Sequence, residues 1–496
     1  MPRPALAACC ALLAPSLTLA APAAAATPDT LNIGLQLEPP SLDPTTGPAE
    51  AIRDIVYDNV FESLTRLDEH GSVQPQLAKR WSIADGGRRY EFALDTGASF
   101  SDGTPFDCAI VKFSLDRARA PDSLNPERAF YAPIASISCP APDHAVITLS
   151  APDSEFLYHL AWAASAMVAP ATAATNAQHP VGTGPYVLEN WKRGSSITLS
   201  RREHLRAPIP AIARVSFHFI ADPLTAADAL DGNRLDGYVN FPNTDMLSRF
   251  QGDPRFTVLV GRSPIKLIWA LNEARAPFND LRVRLALAAA IDRYAIVTGY
   301  ANNFATVIGS HDTPEDPDYL DLSAHAPYDV GHAQDLLRQA GVAAGTVIEI
   351  ALPPTDYAHK VGDMLAAYLA QVGLVAKLVP MQWPQWLGDV YGHANYQTTV
   401  IAHTEPRDLD IYARPHYYFG YHDTVYDALF AQYRTTTDPA AQHALWQKLQ
   451  QRLADTQANV FIAALPRISI WNARLRGMWR DEPIPLNRIA DLSWTP

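Results

Sequence analysis

The stretch TVIEIALPPTDYAHKVGDMLAAYLAQVGLVAKLVP, residues 346–380, decides the fold class. TVIEIAL reads as a strand. Val361, Leu365, Leu369 and Val372 recur at the spacing of one helical face, and Gly373 stops that helix. LVAKLV follows at once as a second strand. Strand, helix and strand in succession form a β-α-β unit, which requires a parallel pair and a right-handed crossover.

The same alternation runs outward in both directions. Asn279 or Asp280 caps an expected helix through Val297, and Gly341 ends another after Asp335-Leu336-Leu337. Towards the N-terminus, LNIGL (31–35) reads as a strand. Ile52, Val56, Val60 and Leu64 lie at four-residue spacing, which predicts a helix over 50–64. Tyr90, Phe92 and Leu94 alternate with polar residues as a half-buried strand. Asp102-Gly103 marks a turn, and Asp107 caps a helix through about Arg117. Residues 134–138 and 145–150 flank Pro140-Ala141-Pro142-Asp143 as a hairpin. The class is α/β, and such sheets take ligands outside the carboxyl ends of their strands.

Length and composition narrow the function. At 496 residues the chain is too long for one core; length over about 150 suggests roughly three domain-sized units. Apolar content of 48% with 18% charged residues is that of a globular chain. A formal charge of −13 argues against a nucleic-acid partner, which needs a basic face. Arg3 is the only charge before Asp29, an Ala/Leu run follows it, and Ala24-Ala25-Ala26 ends in small residues ahead of Thr27. That pattern predicts a signal peptide over 1–26, cleaved near Ala26/Thr27, and an exported mature chain. Leu6-Ala7-Ala8-Cys9 has the outline of a lipid-attachment box but sits too early, with no apolar segment before it. Pro15 and Pro22 break the run as a membrane anchor. Cys108 and Cys139 remain after export. An oxidising compartment favours a disulfide between them over two buried thiols.

Val181-Gly182-Thr183-Gly184-Pro185-Tyr186 has two glycines around a Thr, a tight turn. It lacks the Lys-Ser/Thr and the third glycine of a nucleotide cradle. Residues 399–422, TVIAHTEPRDLDIYARPHYYFGYH, leave an apolar run and enter a dense set of acids, bases and rings. A strand end that spills into such side chains fits the wall of a ligand cleft.

Together these motifs carry a resemblance. Asn59-Val60-Phe61-Glu62-Ser63-Leu64 with Gly71, Pro75, Leu77-Ala78 and Trp81, then YEFALDTGASFSDGTPFDCAIVKFSLDR (90–117), VGTGPYVLENWKRG (181–194) and LNEARAPFNDLRVRLALAAAIDR (271–293), follow one another in order. The chain resembles the large solute-binding proteins of bacterial ABC importers, of the dipeptide, oligopeptide and nickel type (family 5), from about residue 30 to about residue 475. HLRAPIPAI (204–212) departs from that family's aromatic-Trp-Gly turn. The resemblance implies a two-lobed periplasmic-binding-protein fold. Lobe one is expected over 27–268 and 470–496, with an inserted subdomain at about 51–175, and lobe two over 269–469. The connecting strands are expected near Ile265–Asn272 and Arg467–Ala473, and capture works by hinge closure. The implied partners are a small-molecule ligand, peptide-like, and the permease subunits of the transporter. The implied location is the periplasm and the implied state a monomer without cofactor. Nickel-chelate, haem, opine or sugar binding on the same scaffold is the alternative.

In peptide-binding relatives an acid in the segment matching 402–412 holds the ligand's α-ammonium, and Glu405 falls on that position without gaps. A salt bridge to Arg407 or Arg414 is the other reading of Glu405. Arg407 and Arg414 fit a ligand carboxylate or charge balance for Asp408 and Asp410. Trp383 falls where relatives carry a cleft Trp, and with Trp386 and Tyr417 it offers apolar area and a face for a cation; plain core packing is the alternative. His403, His416 and His422 have gaps of 13 and 6 residues, which match no helical ligand spacing, and no companion cysteine, so no direct metal site is expected of them. The chain carries no H-E-x-x-H, no G-x-S-x-G and no Walker-type loop, so no enzyme is expected, a secreted hydrolase being the remote alternative.

Overall fold

The computed structural model describes residues 29–206, 208–484 and 486–495. The expected signal segment and the box ending at Cys9 lie outside the described residues. No helix among those described is long and apolar enough to cross a membrane.

Two mixed sheets organise the chain. The first has seven strands, built from Thr30–Leu35, five strands between Tyr186 and Gly261, and Arg467–Asn472. The second has six, built from Lys266–Leu271, Thr306–Val307, Val347–Leu352, Val375–Pro380, Thr398–His403 and Val460–Ala464. The β-α-β unit sits at the edge of this second sheet. Val347–Leu352 and Val375–Pro380 pair in parallel with register Ile350↔Leu378. The intervening helix Asp356–Gln371 buries Ala358, Val361, Leu365 and Leu369 against them.

The chain passes from one sheet to the other twice, between Gly261 and Lys266 and between Ala464 and Arg467. The passages lie side by side: the Leu465 amide donates to Ile265 O at 2.9 Å and Ser263 Oγ to Leu465 O at 2.7 Å. Two short adjacent connections leave each half its own core. The expected boundaries at 268/269 and 469/470 fall inside the strands Lys266–Leu271 and Arg467–Asn472.

A four-stranded antiparallel sheet of Ala78–Ala84, Arg89–Leu94, His144–Leu149 and Ile134–Ala141 forms a separate layer on the first half. The helix Cys108–Arg119 covers it, and Asp107 caps that helix by accepting from the Ala109 and Ile110 amides. Cys108 and Cys139 are joined by a disulfide that ties helix start to strand end.

Two expected helices are shorter than their periodicity suggests. The helix over 50–64 ends at Val56. Asp58 takes a left-handed backbone, φ 57°, and the Asn59 side chain bonds to Ile55 O and Asn487 O. The chain then lies against the Val181–Tyr186 turn. There a Cβ on Gly182 would meet Val60 O at 1.9 Å, and one on Gly184 would meet Asn59 O at 2.5 Å. The two glycines therefore serve backbone-to-backbone packing and not a phosphate. The helix expected from 280 to 297 is two helices, Leu281–Ala289 and Arg293–Ala301, because Asp292 caps the second by accepting from the Ala295 amide.

Candidate functional site

Between the two halves lies a cavity of about 530 Å³. The first half contributes the segment after the strand Thr30–Leu35, the helix Glu50–Val56 and the loop at Val239–Pro242. The second contributes Thr355–Tyr357 at the start of the long helix, the Trp383–Tyr391 region and the turn after the strand Thr398–His403. The Trp386–Gly392 turn is π-wound, a geometry that recurs at functional sites.

Glu405, Asp408, Trp383, Trp386, His403 and Tyr417 all line this cavity, and Arg407 does not. Four of the six are held by protein partners. The Arg53 guanidinium, from the other half of the molecule, donates to Glu405 Oε1 at 2.9 Å and to Thr404 Oγ at 3.0 Å. Burial raises the Glu405 carboxyl, but Arg53 and then His403 outweigh it, and the net shift is below the ordinary value. The partner of Glu405 is thus neither Arg407 nor Arg414. Asp408 is paired with Lys266 Nζ at 2.6 Å and accepts from His311 Nε2 at 3.2 Å. Burial raises its carboxyl, yet Lys266 and His311 hold it well below the carboxylate range. His403 Nε2 meets the Tyr418 hydroxyl at 2.8 Å. Trp386 Nε1 donates to Thr399 Oγ at 3.0 Å and its ring meets Trp383 edge-to-face at 5.7 Å. Tyr417 stands edge-on to Tyr391 at 6.1 Å.

Arg407 points away from the cavity into a cage. Its guanidinium reaches Glu155 at 3.0 Å, Asp316 at 2.7 Å, Asp318 at 3.0 Å and the Tyr433 hydroxyl at 3.0 Å, and it lies over the Trp446 ring at 4.4 Å. With every edge of the fork engaged, it has no donor left for a ligand carboxylate. Arg414, which lines the cavity, pairs with Asp410 at 2.6 Å and Glu127 at 2.7 Å. Arg53–Glu405, Glu127–Arg414, Glu155–Arg407 and Asp153–Arg434 (2.7 Å) all join the first half to the second. The two halves are in contact across the cavity.

One cluster has metal-ligand composition. Donor atoms of His311, His403 and Asp408 lie within 4.8 Å of one another. The Lys266 ammonium already balances Asp408. His311 donates from Nε2 to Asp408, and the Tyr412 hydroxyl meets its Nδ1 at 3.0 Å. Burial lowers the His311 pKa to about 4 despite Asp408. A neutral imidazole with both nitrogens engaged leaves no lone pair for an ion. The cluster anchors the 404–408 turn that forms the cavity wall.

Sequence reasoning missed Glu50 and Asp54. Both line the cavity. Burial raises both carboxyls, Glu50 with the help of Asp54. The only sequence signal is their spacing in EAIRD: on a helix whose Ile52 and Val56 face the core, positions 50 and 54 share another face.

The chain matches the family described as bacterial extracellular solute-binding proteins, family 5, over residues 72–439. It is 26% identical over 456 residues to a glutathione-binding protein, GsiB, of Shigella dysenteriae serotype 1 (strain Sd197), covering 87% of this chain and 88% of the relative. Among solved structures it is similar to the periplasmic binding protein DppA of Helicobacter pylori in complex with the peptide STSA. That match has a TM-score of 0.84 at 20% identity, over 94% of this chain and 98% of the other. It is also similar to NikZ of Campylobacter jejuni in complex with Ni(L-His), with a TM-score of 0.83 at 23% identity over 94% and 99% of the two chains.

Proposed function

This chain belongs to the bacterial extracellular solute-binding proteins of family 5, a family of binding proteins and not of enzymes, and from that premise we propose that it captures a peptide or similar amine-bearing small solute and delivers it to the permease of an ABC importer. The solute enters between the open halves, which then close on it by rotation at the two connections near Ser263 and Leu465. Export by the N-terminal segment places the mature monomer in the periplasm.

The observation that carries this reading is the 530 Å³ cavity walled from both halves. Its size is that of a short peptide or comparable molecule, and its wall joins aromatic rings to a few carboxylates, the composition of a small-molecule site. Trp383, Trp386 and Tyr417 supply apolar surface. Arg407 and Asp408 act indirectly, by holding the wall in place. The relatives named for glutathione and crystallised with a peptide support a ligand with an amine and amide groups.

Thermal denaturation against a panel of dipeptides, tripeptides and glutathione tests the proposal. A ligand that binds only the folded state raises the midpoint, by about 2.7 kcal/mol of stability at a hundredfold excess over Kd. At least one member should do so. No response from any member would reject the peptide reading.

A further inference from the structure

Seven carboxylates line the cavity, and five have partners. Glu38 accepts from the Trp191 indole and the Gly194 amide, Glu127 pairs with Arg414, and Asp356 with Lys360 at 3.2 Å. Glu405 pairs with Arg53 and Asp408 with Lys266. The exceptions are Glu50 and Asp54: among the described residues no hydrogen bond or ion pair reaches either side chain.

These two stand one turn apart on the helix Glu50–Val56, on one face. The nearest cations, Arg53 and Arg467, attract both carboxylates through space but bond to neither. Arg53 turns to Glu405, and Arg467 is held by Glu482 and by Asn487 Oδ1. Of the cations in the cavity wall, Arg414 is paired twice, and Arg193 is exposed and lies over the Trp191 ring. Like charges at this spacing destabilise a helix, and withdrawing a carboxylate from water costs more unless a cation joins it.

A separate observation comes from the other half of the molecule. Thr355 lines the same cavity, is 5% exposed, and its hydroxyl makes no well-formed hydrogen bond among the described residues, with the Tyr357 hydroxyl its polar neighbour. It precedes the helix Asp356–Gln371 without capping it. A buried hydroxyl left unbonded is unfavourable unless a ligand completes it. Trp383 and Trp386, in the same wall as Thr355, offer ring faces that attract a cation.

We propose that Glu50 and Asp54 together receive a cationic side chain of the solute, a guanidinium or an ammonium other than its α-amino group, with the Thr355 hydroxyl as a neutral acceptor from the opposite half. The assignment rests on the reading of this cavity as the solute site, and it moves the cation receptor from Glu405 to the helix Glu50–Val56. Two carboxylates against one cation select for the charge itself, and closure brings Thr355 onto the same group.

Titration calorimetry with three probes tests it: the dipeptide Arg-Leu, its near-isostere citrulline-Leu, which keeps the α-ammonium but has a neutral side chain, and agmatine, a cation that is no peptide. Wild type should bind Arg-Leu at least about tenfold more tightly than citrulline-Leu, the scale of a desolvated charge pair. The preference should vanish in the E50Q/D54N double variant, whose melting temperature should equal or exceed that of the wild type. Thr355→Val should weaken Arg-Leu several-fold and leave citrulline-Leu unchanged. Equal binding of the two dipeptides by wild type, or a preference that survives in the double variant, would overturn the assignment. Binding of citrulline-Leu without Arg-Leu or agmatine would overturn it too while leaving peptide capture standing. Agmatine binding that depends on Glu50 and Asp54, without any peptide binding, would support the receptor and remove the peptide reading.

Discussion

Arg53 and Glu405, 352 positions apart in the chain, meet across the junction of the two halves with Nη2 2.9 Å from Oε1. Their side chains are 11% and 20% exposed, so the pair is largely withdrawn from water. It forms only where the halves touch, so neither half holds it alone.

Arg53→Gln should therefore favour the open form. Removing one member of a mostly buried pair leaves a carboxylate without its cation, at a cost of about 3 kcal/mol. Small-angle scattering of the solute-free variant should show a larger radius of gyration than the wild type. An identical radius would mean the pair does not bias closure.

Arg407 makes a stronger version of the same contact, with three carboxylates and a tyrosine hydroxyl around it. Arg407→Ala should lower stability by about 3–5 kcal/mol, since Glu155, Asp316 and Asp318 are left to repel one another. Denaturant unfolding measures the loss. A change under about 1 kcal/mol would contradict the cage. Because Arg407 does not line the cavity, any loss of affinity should follow closure and be nearly the same for every ligand.

Glu50 gives a pH signature. Burial, with Asp54 beside it, lifts its folded-state pKa from 4.5 to about 8. A carboxyl with a raised folded pKa binds more protons folded than unfolded between those values. Its contribution to stability is thus present at low pH and lost as pH rises through about 8. The groups around it are Asp54, Arg53, Arg467 and Glu405. The melting temperature of Glu50→Gln minus that of the wild type should grow from about pH 5 to about pH 8 in solute-free protein. A flat difference would show that Glu50 titrates normally.

Much of the fold was legible because it is local. The β-α-β unit at 347–380 is a pattern of period two, then period 3.6, then period two, with Gly373 as the break. The caps at Asp107 and Asp280 are also local chemistry. The helix over 50–64 failed for the opposite reason. Val60 and Leu64 keep the apolar spacing, but the backbone after Val56 is claimed by Gly182 and Gly184, more than a hundred residues away.

The site divides the same way. Six of the seven expected residues line the cavity: Glu405, Asp408 and Tyr417 from the dense run after the strand Thr398–His403, His403 at its end, and Trp383 and Trp386 ahead of it. Which charges are free was not legible. That depends on Arg53, Lys266 and Glu155, each far from its partner in sequence. Glu50 and Asp54 could be placed on one helical face, but only the packed structure shows that this face meets the cavity.

The most direct test of the account is native mass spectrometry of the protein as purified from the exported fraction, with the solute released and weighed. Capture of an amine-bearing solute between the halves predicts a one-to-one complex, a released molecule carrying a basic group, and loss of that complex in the E50Q/D54N variant. Protein that remains bare after incubation with a growth-medium extract, or a released solute with no basic group, would contradict it.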